Sequence, residues 1–495
     1  MTEAVLALDL GSTQLKLMLM DRDGKALATV TAGYPTQTPA PGWLEQRPED
    51  WAKALKDGMA QLRAEQPGIH IAAIGLSGHM SGTVLLDEKD QVLCPCIMLS
   101  DSRSEEECRW LQEQAGEMIR SHTGNAVINA FTLPKLKWLQ CHEADVWRRT
   151  RVWLSPKDYI RLLLTGQAAT EYTDAFNSLC VDAQTAAWSD DIIATAGLER
   201  EKFPPMLTPR SIAGTVTQEA AQCFSLTKGI PVVAGGADMA CGALGMGLFQ
   251  EGEAALTLGT CATFLANVTR IREEGFGQVT FHLHALPGML YALGSHFNGG
   301  LAVNWLAQVL SPEGALDYGE IARLSALAEA VPPGSGGMMT LPFLAGSGSP
   351  YFRSADRQTV LGMSTAAGRG EIFRSELEGI TYNLDETKRL FDRMIPNGLK
   401  RVLLGGGGTR IGVWPSMIAD VFDCPLHVVR NADASTVGAG ILGGWGVGFY
   451  TDAQQTARKG LTGSRLLRPD PARAAAYAQW KEKYLAAYSM LTSWY

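Results

Sequence analysis

Pro231-Val232-Val233-Ala234-Gly235-Gly236-Ala237-Asp238-Met239-Ala240-Cys241-Gly242-Ala243-Leu244-Gly245-Met246-Gly247 is the stretch on which the reading of this chain turns. Residues 232–234 have the apolar character of a short buried strand, Gly235-Gly236 interrupts it, and the small residues from Ala237 to Gly247 fit a closely packed helix. Asp238 therefore falls at a strand-to-helix turn. A carboxylate there lies near helix N-terminal amides, in the crevice outside the strand ends where open α/β sheets bind ligands. It can serve as a general base, or it can merely cap its helix, and the stretch alone leaves both readings open.

Working outward, residues 4–8 form an apolar run that ends in Asp9-Leu10-Gly11-Ser12-Thr13, and residues 15–20 and 26–30 read as two further strands around the turn Asp21-Arg22-Asp23-Gly24-Lys25. A Gly-Ser-Thr turn suits an anion, because glycine admits close approach, successive N–H groups form a phosphate nest, and the hydroxyls add donors. Asp9 beside it suits Mg²⁺ held through water. An ordinary hairpin turn is the alternative. About half a chain later the pattern returns: residues 253–258 run as a strand into Gly259-Thr260-Cys261, and residues 262–268 continue as the next. The chain thus reads as two related halves. Residues 401–404 form a strand entering Gly405-Gly406-Gly407-Gly408-Thr409-Arg410, with a helix from Trp414 to Val421; bare glycines let a flat base and ribose lie against backbone. The run is neither a Rossmann fingerprint nor a P-loop.

Composition sets the class. A chain of 495 residues is too long for one hydrophobic core. With 46% hydrophobic residues, 19% charged and a net charge of −8, it should pack well and should not bind nucleic acid or an anionic membrane surface. There is no apolar run of spanning length, and Met1-Thr2-Glu3 lacks the basic start of a signal peptide, so the expected compartment is the cytoplasm. Nine scattered cysteines do not make a disulfide framework and are expected to be buried free thiols. Residues 331–337 read as an exposed loop, and the hinge between halves is placed near 241–247, giving domains 1–243 and 244–495. Asp470 and Pro471 start a C-terminal helix whose stripe of Tyr477, Trp480, Tyr484, Tyr488 and Leu491 is expected to dock on the body of the protein, with a homodimer contact as the alternative.

The Asp-x-Gly-[Ser/Thr] hairpin, the second Leu-Gly-Thr hairpin and the late glycine turn resemble the FGGY family of sugar kinases, over nearly the whole chain. The resemblance implies an α/β fold of two duplicated ribonuclease-H-like domains, of the actin, hexokinase and Hsp70 ATPase type, around a cleft. Within the family the chain is most similar to the xylulose kinases: residues 41–51, 74–82, 131–136 and 155–159 match their segments, and Asp174 lies in a loop like one near their substrate site. On residue chemistry alone, Trp43 and Trp51 are core or rim aromatics and Lys157-Asp158 is a surface ion pair. The resemblance makes Asp238 the base that takes the proton from the sugar hydroxyl attacking the γ-phosphate of ATP. It assigns Gly11, Ser12, Thr13, Gly259 and Thr260 to phosphates, Gly406 and Gly407 to adenosine, Asp9 to Mg²⁺, and His79, Met80, Asp101 and Asp238 to the sugar. Residues 433–440 resemble a helix closing the nucleotide pocket.

The expected reaction is phosphorylation of D-xylulose to D-xylulose 5-phosphate, or of another ketose or polyol. Ser81, Met239 and Ser347-Gly348 depart from the xylulose kinase pattern and bear on the sugar, since polar contacts decide specificity sharply. Met80 and Ser81 weigh against glycerol. Two rivals share the scaffold: a chaperone- or filament-type ATPase and a non-catalytic sugar sensor.

Overall fold

The chain's architecture follows from three strands that open it. In the computed structural model, which describes residues 2–311, 314, 318–429, 433–461 and 464–494, Glu3–Leu10, Gln14–Met20 and Ala26–Gly33 form the expected antiparallel meander. The first strand is buried over seven of its eight residues, so it reads as a continuous apolar run rather than an alternating one. Leu6, Leu8 and Leu10 join a core with Trp51, Leu55, Met59 and Leu62 of the helix Pro48–Glu65, and Val5 and Ala7 pack against the helix Ala434–Gly446.

The chain divides into two units. The first is Met1–Phe249 with Phe281–Leu290 and Asp433–Thr462, and the second is Gln250–Thr280 with Tyr291–Ala432 and Gly463–Tyr495. In the first, the sheet order is Ile212–Thr215, Pro231–Val233, His70–Gly78, Glu3–Leu10, Gln14–Met20, Ala26–Gly33, with the first-strand neighbour His70–Gly78 parallel to it. The second unit repeats this plan. Glu253–Leu258 is antiparallel to Ala262–Val268 and parallel to Arg401–Gly405, which is parallel to Leu426–Val428. The duplication read from two glycine turns is therefore a duplication of topology.

Two boundaries differ from expectation. The division expected after residue 243 falls inside the helix Asp238–Gly245, and the first unit runs on to Phe249. The helix Ala434–Gly446, assigned by sequence to the nucleotide half, belongs to the first unit. Its small residues explain this: a Cβ on Gly438 would lie 1.9 Å from the Cys241 carbonyl oxygen, and one on Gly75 1.9 Å from that of Ala439. Backbones pack this closely only where side chains are missing, so the helix is keyed to the strand His70–Gly78 and the helix Asp238–Gly245.

The C-terminal helix, Pro471–Leu491, starts as expected, with the Asp470 carboxylate accepting from the Ala472 and Arg473 N–H groups. Tyr477, Tyr484 and Tyr488 are buried within its own unit, so this part of the stripe docks on the body of the protein as expected, while Trp480 and Leu491 are half-buried. The loop at 331–337 is less exposed than expected, since Gly334 and Ser335 are buried against Glu378. Among the described residues the nine cysteines are all unpaired, but only Cys96, Cys180 and Cys241 are buried, while Cys141, Cys223 and Cys261 are exposed. No described helix is long and apolar enough to cross a membrane.

Candidate active site

Three adjacent strands of the first unit end side by side. Asp9 pairs in register with Ser77 and Leu10 with Gly78, and on the far side Ser77 pairs with Gly236 and Gly78 with Ala237. Parallel strands present their carboxyl ends together, so Asp9, His79 and Asp238 emerge along one edge of the sheet. The turn before Asp238 depends on Gly235, whose φ is +83° and where a Cβ would stand 2.1 Å from the Leu76 carbonyl oxygen. Only glycine fits there.

Asp238 opens its helix, and its Oδ1 accepts the Met239 N–H at 2.7 Å. Burial, followed by the negative charge of Asp9, pushes its pKa up to about 7, with the Met239 bond acting the other way. A carboxyl group in this state changes charge near neutrality, which is what proton transfer from an alcohol requires. Asp9 is differently supplied: its Oδ2 accepts from Ser435 Oγ at 2.6 Å and Thr436 Oγ1 at 2.9 Å, and its Oδ1 is buried without a partner among the described residues. That free oxygen fits a hydrated Mg²⁺. Among the described residues no group of three or more His, Cys, Asp or Glu could hold a metal alone; a magnesium ion, which prefers to keep waters and phosphate oxygens, needs no such cage.

The Gly11-Ser12-Thr13 turn has its carbonyls tied back into the protein. Gly11 O accepts from the Tyr34 hydroxyl at 2.5 Å, Ser12 O from Gln46 Nε2 at 2.6 Å, and Thr13 O from the Tyr34 N–H at 3.2 Å. Trp51, fully buried, steadies Gln46 by donating to its Oε1 at 3.0 Å. With the acceptors engaged and Ser12 and Thr13 exposed, the turn offers hydrogen-bond donors outward, as an anion site must. Next to it, Lys16 Nζ meets Asp433 Oδ1 at 2.5 Å.

His79 and Met80 are buried. Among the described residues neither ring nitrogen of His79 has a partner, the ring stands edge-on to Trp51 at 5.6 Å, and burial pushes its pKa down to about 4, so it is neutral. Ser81 holds φ at +64°, an uncommon backbone state for a residue with a side chain. Asp101, expected to touch the sugar, is enclosed: Oδ1 accepts from the Arg103 N–H and Nε at 2.9 Å, and Oδ2 from the Leu44 N–H at 2.6 Å and Arg103 Nη2 at 2.8 Å. It leaves no free face for a ligand. The residue it holds, Arg103, also pairs with Glu45 at 2.8 Å and lies 3.8 Å over the Trp43 ring. Lys157-Asp158 is no surface pair; both are fully buried, in one cluster with Arg161, Glu171 and Asp174.

In the second unit Gly259 and Thr260 repeat the tied-back turn by other means. Their carbonyls accept from the Gly300 and Leu301 N–H groups at 2.7 and 2.9 Å, at the start of the helix Gly300–Leu310. Gly406 has φ +87° and would place a Cβ 2.5 Å from the Leu258 carbonyl oxygen, whereas a Cβ on Gly407 would meet nothing within 4 Å. The glycine turn is pinned on one side and open on the other. The sequence reading gave no role to Gly300 or Lys16, and it placed Ser435 and Thr436 only within the helix at 433–440, without their bonds to Asp9. Ser435-Thr436 at a helix start was the one available signal, since paired hydroxyls there often serve backbone or ligand oxygens.

Residues 4–245 match the N-terminal domain, and residues 254–447 the C-terminal domain, of the FGGY family of carbohydrate kinases. A xylulose kinase from Lactococcus lactis is 32% identical over 97% of this chain and 96% of its own length. The crystal structure of a xylulose kinase from Rhodospirillum rubrum has a TM-score of 0.91 and 27% identity, covering 99% of each chain. That of a gluconate kinase from Lactobacillus acidophilus has a TM-score of 0.92 at 22% identity, over 99% of this chain and 98% of its own, and shows the shared two-domain fold. The chain therefore belongs to the FGGY family of carbohydrate kinases and is a sugar kinase.

Proposed function

We propose that this kinase transfers the γ-phosphoryl group of ATP to a hydroxyl of D-xylulose, forming D-xylulose 5-phosphate, with Asp238 as general base. The observation that carries the chemistry is the Asp238 carboxyl group, lifted toward neutrality by burial and by Asp9. An alcohol attacks phosphorus readily only if its proton has somewhere to go. Asp238 takes that proton as the sugar oxygen bonds to the γ-phosphorus and the bond to the ADP oxygen breaks. Such a base contributes roughly 10²- to 10⁴-fold to the rate.

The other roles follow the donors and acceptors. Gly11, Ser12 and Thr13, and in the second unit Gly259 and Thr260, donate to phosphates; Gly406 and Gly407 lie against the adenosine. Asp9 would hold Mg²⁺, which when bound supplies neutralisation of phosphate charge. His79, with two unpartnered ring nitrogens, and the neighbouring Met80 contact the sugar. Asp101 fixes the Arg103 guanidinium.

The choice of D-xylulose rests on the names of the relatives, and the gluconate kinase of the same fold makes a sugar acid the second candidate. ADP release, measured with D-xylulose, other pentuloses and hexuloses, gluconate and polyols, decides between them. Release that depends on D-xylulose above the rest supports the proposal. Preference for gluconate replaces the substrate; release without any sugar indicates an ATPase, and none at all a sensor.

A further inference from the structure

The five ionisable side chains Lys157, Asp158, Arg161, Glu171 and Asp174 are all fully enclosed in the first unit. Lys157 Nζ lies 2.6 Å from Asp158, 3.2 Å from Asp174 and 3.5 Å from Glu171, and Arg161 Nη1 lies 2.8 Å from Asp158. Buried ion clusters gain little net stability over apolar packing, because desolvation offsets their attraction. What this one does is hold backbone. Ala234 O accepts from Arg161 Nη1 at 3.0 Å and from Lys157 Nζ at 3.4 Å, at the start of the Asp238 turn.

The other end of the turn is held by a relay. The Ala237 N–H donates to Thr173 Oγ1 at 2.9 Å, and the Thr173 hydroxyl in turn donates to Glu171 Oε1 at 2.9 Å. A threonine has one hydroxyl hydrogen, so Glu171, by accepting it, turns a Thr173 lone pair toward Ala237. Glu171 is itself fixed by the Thr173 and Asp174 N–H groups at 2.7 and 3.0 Å. With two cations facing three carboxylates, the cluster is short of positive charge. Burial raises the pKa values of Glu171 and Asp174, with Lys157 opposing it in both.

Ala237 precedes Asp238 and is the N-cap residue of a helix that has no side-chain cap of its own. Asp238 bonds only its neighbour's N–H among the described contacts, through Oδ1, so its aim is set by the backbone that the cluster holds at Ala234 and Thr173 holds at Ala237. We propose that Thr173, oriented by Glu171, is a positioning residue for Asp238: it pins the Ala237 amide and thereby the aim of the catalytic carboxylate. The proposal rests on Asp238 being the base.

Thr173→Val keeps the shape and deletes the relay. Because misplacing a catalytic group by about 1 Å costs on the order of 10²-fold, kcat should fall roughly 10- to 100-fold while KM for sugar and for ATP stay within about threefold. Thr173→Ser, which restores the hydroxyl, should recover kcat to within about threefold of wild type. In an Asp238→Asn background, Thr173→Val should lower the residual rate no further, because residues acting as a unit are not additive. An unchanged kcat in Thr173→Val, a parallel rise in both KM values, failure of serine to rescue, or a full additional loss on top of Asp238→Asn would overturn the proposal. If the valine variant does not fold, Thr173→Cys, a weaker acceptor of similar size, should turn over more slowly than Thr173→Ser, and equal rates would overturn it. Near-wild-type turnover in Asp238→Asn alone would instead remove the underlying assignment of the base.

Discussion

Replacing Asp238 by Asn tests catalysis and folding in one variant, with effects of opposite sign. The folded carboxyl group keeps its proton up to about pH 7, whereas the unfolded one loses it near the ordinary value of 3.8. Between those values the folded state binds more protons than the unfolded state, so the wild type loses stability as pH rises across this window. A pKa difference of this size corresponds to about 4 kcal/mol, an upper figure because solvent still reaches part of this largely buried residue. Asparagine carries no charge and escapes that loss. The Asp238→Asn protein should therefore unfold close to wild type at pH 4.5 and be more stable than wild type at pH 8, by roughly 2 to 4 kcal/mol. Its turnover should fall about 10²- to 10⁴-fold. The wild-type kcat/KM should rise about tenfold per pH unit below an apparent pKa near 7 and level off above it. Thermal and urea unfolding at both pH values, with ADP release from pH 5 to 9, measure all three. An advantage for asparagine that does not grow with pH, or a rate profile flat down to pH 5, would refute the view that Asp238 is a buried carboxyl group waiting to take a proton.

His79→Phe keeps the ring against Trp51 and deletes both nitrogens, so KM for the sugar should rise about tenfold, the value of a hydrogen bond or two, with KM for ATP unchanged; because the His79 pKa is pushed down to about 4, no second ionisation should appear in the sugar rate profile above pH 5. Gly406→Ala forces a Cβ to 2.5 Å from the Leu258 carbonyl oxygen at a φ of +87°. It should raise KM for ATP and cost about 1–3 kcal/mol in thermal unfolding, while leaving sugar affinity, read from product formation at saturating ATP, unaltered.

The strands and turns were legible in the sequence because each is local. Apolar runs bounded by Asp-x-Gly and glycine clusters fix residues 3–33, 253–268 and 401–410 whatever the rest of the chain does. The Asp470-Pro471 helix start was legible for the same reason. What sequence could not show was partnership over long separations. Ser435 and Thr436 reach Asp9 across more than four hundred residues, because close-packed glycines bring the helix Ala434–Gly446 onto the first strand. Lys157-Asp158 looks like an exposed pair in a linear reading, and only folding encloses it with Glu171 and Asp174. Asp101 carries the charge a sugar contact would want, yet its oxygens are consumed by Arg103 and Leu44.

The two halves show how one turn can be turned to different chemistry. Asp9 and Leu10 pair with Ser77 and Gly78 in the first unit as Thr257 and Leu258 stand beside Gly405 and Gly406 in the second. The topological partner of Asp9 is thus Thr257, and that of His79 is Gly407. The first unit keeps a carboxylate and an imidazole at the strand ends, groups suited to a metal ion and to sugar hydroxyls. The second has neither, and the bare Gly407, open on its Cβ side, leaves backbone against which a planar base can lie. Asp238 has the same logic. Its turn is held by Lys157, Arg161 and Thr173 through the Ala234 and Ala237 backbone groups, and its carboxylate accepts one bond among the described residues, from the Met239 N–H, which opposes the upward shift that burial causes. A carboxylate whose backbone is aimed by other residues, and which keeps an oxygen clear of described bonds, is what the proposed base requires.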